Sequence, residues 1–164
     1  MTEIEIDEYR PGTLSGMIGL HMAYYAPTWN FGAGFEAKLA AESGTFLAAF
    51  DPSRDLIATA WQQSSLMGCI FIDGSERDGA GNHLRWFVVS DRARGRGLGA
   101  DLMQQAMAFC DASAHRSTWL TTFAGLDAAA KLYQRNGFDI VSEADMDQWQ
   151  GGVREQRYQR QRPK

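Results

Sequence analysis

The sequence predicts an α/β fold with a mixed central sheet of about six to seven strands flanked by about four helices. Three observations predict it. Short β-branched and aromatic runs recur between segments whose apolar residues have helical spacing. The order is strand, two helices, three strands, helix, strand, helix, two strands, which is not the strict alternation of a wholly parallel sheet. Finally, 164 residues, 45% hydrophobic and 22% charged, have the length and composition of one domain, residues 1–164, with a core of its own.

Taken in order, Thr2–Asp7 alternates polar residues with Ile4 and Ile6, the pattern of a short half-buried strand, and Pro11–Gly12 breaks it. Leu14–Ala26 carries Leu14, Met17, Ile18, His21, Tyr24 and Tyr25 at helical spacing, and Pro27 is expected to end that helix. Thr28–Gly34 reads as a loop rich in glycine and aromatic residues. A second helix is expected from Phe35 to Phe50, followed by a turn cluster at Asp51–Asp55. Leu56–Gln62 and Met67–Asp73 read as a hairpin, and Gly74–Asn82 as a polar loop. His83–Ser90 is the strongest strand signal, being aromatic and β-branched. Gly97–Ala112 puts Leu98, Leu102, Ala106, Phe109 and Cys110 on one helical face. Ser117–Phe123 reads as a strand and Leu126–Arg135 as a helix stopped by Asn136–Gly137. Phe138–Ser142 and Val153–Gln159 read as the last strands, and the basic tail from about residue 160 is expected to fray.

Charge and cysteine usage narrow the class. The net charge is −4, and the first fifty residues, with six acids and two bases, account for all of it. That argues against a nucleic-acid partner, which a basic excess would mark. Cys69 and Cys110 lie in apolar surroundings without a CxxC pattern and read as buried free thiols. The N-terminus lacks the basic and apolar regions of a signal peptide, and no apolar stretch is long enough to span a bilayer. A cytoplasmic protein without a membrane partner is the expectation.

The chemistry concentrates in Val88–Ala100, VVSDRARGRGLGA, where a strand enters a glycine-rich turn that opens a helix. Glycines let a backbone approach a bulky anion, and the unpaired amides of a helix start attract phosphate. Arg92, Arg94 and Arg96 add positive charge to the same turn. The plainer alternative is a glycine-rich turn with solvated arginines. Gly95–Ala100 also fits the GxGxx(G/A) dinucleotide fingerprint, but the next strand ends Leu120–Phe123 without the acid that a ribose would need. A phosphate-binding GxxxxGK(S/T) loop is absent. His21, His83 and His115 have no metal-ligand spacing, and no serine sits in GxSxG.

Arg94–Gly99 resembles the (Q/R)xxGx(G/A) acetyl-CoA signature of the GNAT N-acetyltransferase superfamily, with Arg94, Gly97 and Gly99 at the signature positions. Ala130–Phe138 resembles that superfamily's LYxxxGF segment. The segments LRWFVVSD, TTFAGLDAAAKLY and QW…REQRY are similar to the acetyltransferase half of bacterial proteins that fuse a MarR-type DNA-binding domain to a GNAT domain. The resemblance implies acetyl-CoA as co-substrate, an amine as acceptor, and a GNAT-type sheet. It implies that Arg94, Gly95, Arg96, Gly97, Leu98, Gly99 and Ala100 hold the pyrophosphate. It further implies that Phe87, Val88 and Val89 splay from Ser117–Phe123 and pair with the pantetheine, an amide such as that of Val89 stabilising the oxyanion. Tyr133 would protonate the departing thiolate, the alternative being a core aromatic. One departure stands out: many members carry Asn seven residues before that tyrosine, where this chain has Leu126.

The general base stays open among Glu36, Asp73 and Glu155, because the strand before the turn carries no acid. Acetyl transfer by direct attack on a small-molecule amine is the leading expectation, and a non-catalytic acetyl-CoA-binding sensor the competing one. The acidic N-terminal third suits a cationic amine. Tyr25, Trp29 and Phe31 are the candidate acceptor contacts, against a role in covering the core edge. A homodimer is left open.

Overall fold

The computed structural model describes residues 2–77, 79–145 and 152–164. The strands are β1 (Glu5–Asp7), β2 (Leu56–Gln62), β3 (Ser65–Asp73), β4 (Asn82–Val89), β5 (Ser117–Phe123), β6 (Asp139–Ala144) and β7 (Glu155–Gln161). The helices are α1 (Thr13–Trp29), α2 (Ala33–Ala48), α3 (Leu98–Ala112) and α4 (Asp127–Arg135), with a 3-10 turn at Asp91–Ala93. They build one mixed sheet in the order β1-β2-β3-β4-β5-β7-β6. Every neighbouring pair is antiparallel except β4 and β5.

Side-chain alternation along β3, shifted by one residue at the bulge opposite Ala60–Trp61, explains the layering. Met67, Ile70 and Ile72 join Leu102, Met103 and Ala106 of α3 on one face of the sheet. Leu66, Cys69 and Phe71 join Met17 of α1 and Phe46 of α2 on the other. Both faces of β3 are therefore dry, which is why its sequence is almost continuously apolar. A smaller aromatic cluster, Phe31, Phe35, Leu39 and Phe123, closes the end of the sheet below the α1–α2 connection.

Two expectations need correction. Pro27 does not end the first helix, which continues to Trp29. A proline so near the C-terminus removes only one intrahelical bond. Trp29 packs on Phe123 at a centroid distance of 5.1 Å, and Asn30 then stops the helix in the left-handed region at φ 55°. The expected seven-residue loop shrinks to Asn30–Gly32.

The tail does not fray at residue 160. Arg160 is 7% exposed; its Nη1 and Nη2 donate to the two oxygens of Asp111 at 2.6 and 3.0 Å, and its Nε to the Asn136 carbonyl at 2.8 Å. Arg162 continues the attachment through its N–H to the Arg116 carbonyl at 2.7 Å. A two-pronged guanidinium pair turns a basic stretch that reads as solvated into the last part of β7. Gln148–Trp149, part of the C-terminal resemblance, lies outside the described residues.

Candidate active site

β4 and β5 are in register only at Asn82↔Thr118 and His83↔Trp119, and then part. The cause is local. On the β3 side, the register moves from Cys69↔Val88 to Phe71↔Arg85, so Trp86 and Phe87 oppose Ile70 alone. This bulge puts Trp86 at φ 47°, a strained backbone for a bulky residue. The strained tryptophan is held by edge contacts to Phe46 at 5.6 Å and Phe71 at 5.4 Å and by the Arg85 guanidinium over its ring at 4.2 Å. Beyond the bulge β4 runs away from β5. The Ser90 N–H donates to Met67 on β3 at 2.8 Å. Backbone direction alternates along a strand, so the amide of Val89 turns to the opposite edge, toward the gap.

The glycine-rich turn lies where β4 ends. The Ser90 hydroxyl accepts from the Arg92 N–H and caps the 3-10 turn. Gly95 (φ 73°) and Gly97 (φ 79°) both occupy the left-handed region, and a Cβ on either would point into open space. Gly97 is the N-cap of α3 and offers no side-chain cap. The first helical bond runs from the Asp101 N–H to the Gly97 carbonyl at 3.0 Å, leaving the amides of Leu98, Gly99 and Ala100 without helical partners. Three outward amides at a positive helix end fit a pyrophosphate. The Arg94 side chain is engaged elsewhere, paired with Asp91 at 2.9 Å and lying over Tyr24 at 4.3 Å.

A cavity of about 540 Å³ fills the opening between β4 and β5 and continues under α2. Tyr133, on α4, reaches it across the sheet, its ring packed against Tyr158 at 5.4 Å and Phe138 at 5.9 Å. Burial raises its phenol far above the ordinary value. Phe87 and Tyr25 also line the cavity, as do His21 and His83. Trp29 and Phe31 do not; Phe31 is 2% exposed and stacks within the cluster of Tyr25, Phe35 and Phe123. Of the three candidate acceptor contacts, only Tyr25 is on the wall.

The sequence model of the family described as "Acetyltransferase (GNAT) family" matches residues 14–138, more than half of the chain. The chain belongs to the GNAT acetyltransferase family. Solved structures carry the same fold. An acetyltransferase of the GNAT family from Staphylococcus aureus is 18% identical, with a TM-score of 0.76, covering 98% of this chain and 100% of that one. The ribosomal-protein-S18-alanine N-acetyltransferase from Escherichia coli is 16% identical with a TM-score of 0.72, covering 99% and 96%. A GNAT-family acetyltransferase from Streptococcus pneumoniae is 19% identical with a TM-score of 0.70, covering 98% and 100%. No curated protein matches the chain by sequence.

In this GNAT acetyltransferase the cavity gathers titratable groups other than the acids the sequence leaves open. Glu36, Asp73 and Glu155 do not line the cavity. Burial opposes ionisation of Asp73, but the Ser75 hydroxyl and amide, with Arg85 and Arg77, outweigh it and hold the carboxyl below its usual range. Among the described residues Glu42 is the one carboxylate on the wall, and it was not singled out by sequence. Its Oε2 accepts from Arg85 Nη2 at 2.5 Å and its Oε1 from Lys38 Nζ. A helix-surface Lys38–Glu42 pair is visible in the sequence as an i,i+4 pattern, but nothing there places Arg85 beside it. Of the six acids in the first fifty residues only Glu42 reaches the cavity, already bound to two cations. The acidic N-terminal third therefore does not provide an anionic acceptor pocket.

The two cavity histidines are neutral. Burial pushes His21 down to about 4, and its Nδ1–H donates to the Met17 carbonyl at 2.8 Å, which leaves Nε2 as the accepting nitrogen. Burial and the nearby Arg85 push His83 to about 3; its ring stacks on Trp119 at 3.7 Å. Neither thiol is a nucleophile: burial raises Cys69 far above its usual range and Cys110 to about 11, and neither lines the cavity.

Proposed function

We propose that the chain transfers the acetyl group of acetyl-CoA to the primary amine of a small molecule by direct attack, the two substrates meeting in the gap between β4 and β5. The observation that carries this reading is the bulged β4, which leaves a strand edge facing a cavity and leads straight into three unpartnered helix-start amides. Acetyl-CoA supplies an activated thioester; the chain supplies its placement. The amides of Leu98, Gly99 and Ala100, approached closely because Gly95 and Gly97 carry no side chain, hold the pyrophosphate. Arg94 and Arg96 contribute their backbone and positive field. Phe87, Val88 and Val89 offer a strand edge to the pantetheine amides, a β-addition mode of binding. The Val89 N–H polarises the thioester carbonyl, and the Tyr133 hydroxyl gives its proton to the departing sulfur.

Direct attack suits a wall with no activated thiol. A cavity of about 540 Å³ suits a small molecule as acceptor. With its lining carboxylate bound to two cations and its histidines neutral, the site presents no strong base among the described residues, so the amine enters unprotonated. The test is release of free CoA thiol over a panel of amines, amino acids, polyamines and peptides. Turnover with a small amine is expected, with kcat/KM rising with pH until the amine is fully neutral. Acetyl-CoA binding without CoA release on any amine would identify a sensor instead.

A further inference from the structure

The charges on the acceptor wall have the opposite sign to the protein as a whole. The chain carries a net charge of −4. Among the described residues the cavity is lined by Lys38, Arg77 and Arg85 against one carboxylate, Glu42, with His21 and His83 both neutral above about pH 4. Glu42 bridges two of the three cations, Lys38 from its own helix and Arg85 from β4, and the Asp73 carboxylate, just outside the lining, faces Arg85 and Arg77, so the charges of the described residues leave a surplus of one cation. The Arg85 side chain is only 13% exposed, and it is fixed from its other face by the Trp86 ring. Arg77 makes no ion pair among the described residues and stands at the mouth.

The loop that carries Arg77 is itself held. His115 Nε2–H donates to the Gly74 carbonyl at 2.9 Å, and His115 Nδ1 lies 3.2 Å from Glu76. Asp73 accepts from the Ser75 N–H at 2.9 Å, and Gly79 sits against the Trp119 indole, where even a Cβ would come within 3.2 Å. Arg77 is therefore presented from an anchored turn. Around these cations the wall is aromatic: Tyr25, Phe35, Trp86 and Phe123. A cavity edge with surplus positive charge in a low-dielectric wall repels a polyamine and attracts an anion.

Building on the acetyl-transfer reading above, we propose that the acceptor is an amine whose own body carries a carboxylate: a free amino acid with an apolar or aromatic side chain. Arg77 and Arg85 receive its carboxylate, the aromatic wall takes its side chain, and its amine is left toward the gap between the strands. The specificity-determining residues are then Arg77 and Arg85, with Glu42 positioning Arg85 from α2.

The experiment pairs L-phenylalanine, L-tryptophan, L-methionine and L-leucine each with its own carboxamide, and adds spermidine. The amide's amine loses its proton more readily than that of the acid, so intrinsic reactivity favours the amide, and any preference for the acid reads its charge. In CoA-release assays at least one acid is expected to exceed its amide and spermidine by about tenfold or more in kcat/KM, the size of one charge-assisted contact. Arg77→Ala is expected to shrink that ratio and Arg77→Lys to restore part of it; Arg77 is an exposed loop residue, so neither change disturbs the core. A second arm needs no turnover: calorimetry of each N-acetyl amino acid and its N-acetyl carboxamide in the presence of CoA, with tighter binding of the acid expected. Tighter binding of the acid without CoA release from any amine removes the acetyl-transfer reading and keeps the anion site. Equal binding of acid and amide, binding of neither, or faster turnover of amide or spermidine overturns the proposal.

Discussion

Tyr133 is 6% exposed, and its ring is fixed between Phe138 and Tyr158 while it still reaches the cavity. Its position follows from the end of α4: the Phe138 N–H returns to the Tyr133 carbonyl at 3.0 Å, so the turn at Asn136–Gly137 clamps the tyrosine's own backbone. Burial that raises the phenol would also raise a thiol leaving in the same desolvated space, so the proposed donor and acceptor shift in the same direction. Tyr133→Phe keeps the ring and its packing and removes only the proton. Its expected effect is a fall in kcat of ~100-fold, with acetyl-CoA affinity and melting temperature close to those of the parent. Wild-type kcat in that variant, measured where chemistry limits the rate, would make Tyr133 a packing residue. Its place at the cavity was readable from the sequence because a motif surrounds it. Glu42 and Arg85 were not, because their meaning depends on a contact between α2 and β4 that no spacing in the chain displays.

The decisive element is β4, together with the turn that follows it. Its aromatic and β-branched run marks a strand in the sequence, and a strand it is, from Asn82 to Val89. The bulge is another matter: nothing in HLRWFVVS signals a left-handed tryptophan, and only the packing of Trp86 against Phe46 and Phe71 makes that conformation tolerable. The turn is the reverse case, written plainly in glycines whose positive φ no other residue adopts cheaply. Gly97→Val tests it. A Cβ at this position meets no protein atom within 4 Å, so the substitution is tolerated by the fold while its bulk is expected to obstruct an anion approaching the α3 amides. Left-handed strain lowers the melting temperature by an amount corresponding to about 1–2 kcal/mol. Separately, calorimetry with acetyl-CoA on the folded variant is expected to show affinity weakened at least about tenfold, ~1.4 kcal/mol. Unchanged affinity would move the phosphate cradle elsewhere.

At the scale of the whole molecule, the order of strands and helices along the chain was legible because local periodicity decides it, whereas the order of strands in the sheet, with β7 between β5 and β6, was not. The misread parts, the last turn of α1 and the end of β7, depend on tertiary partners: Phe123 for Trp29, and Asp111 with Asn136 for Arg160. The same packing buries His21 between α1 and the cavity, and this has a consequence for the stability of the entire fold. Burial lowers its folded pKa to about 4 from 6.5. A depressed folded pKa means that the unfolded chain binds the proton more readily. The contribution of neutral His21 is therefore fully present above pH 6.5 and is lost as pH falls toward 4, an effect on the order of 3 kcal/mol. His83, lowered to about 3 by burial and Arg85, extends the same loss to lower pH. The melting temperature is thus expected to be level above pH 6.5 and to drop between pH 6.5 and 4, before most carboxylates titrate. His21→Gln retains a donor for the Met17 carbonyl but cannot take up a proton. The variant should melt lower at neutral pH and with a shallower slope below it, so that the two curves converge toward acid. Parallel curves would place the acid sensitivity in other groups and leave His21 as a packing residue of α1.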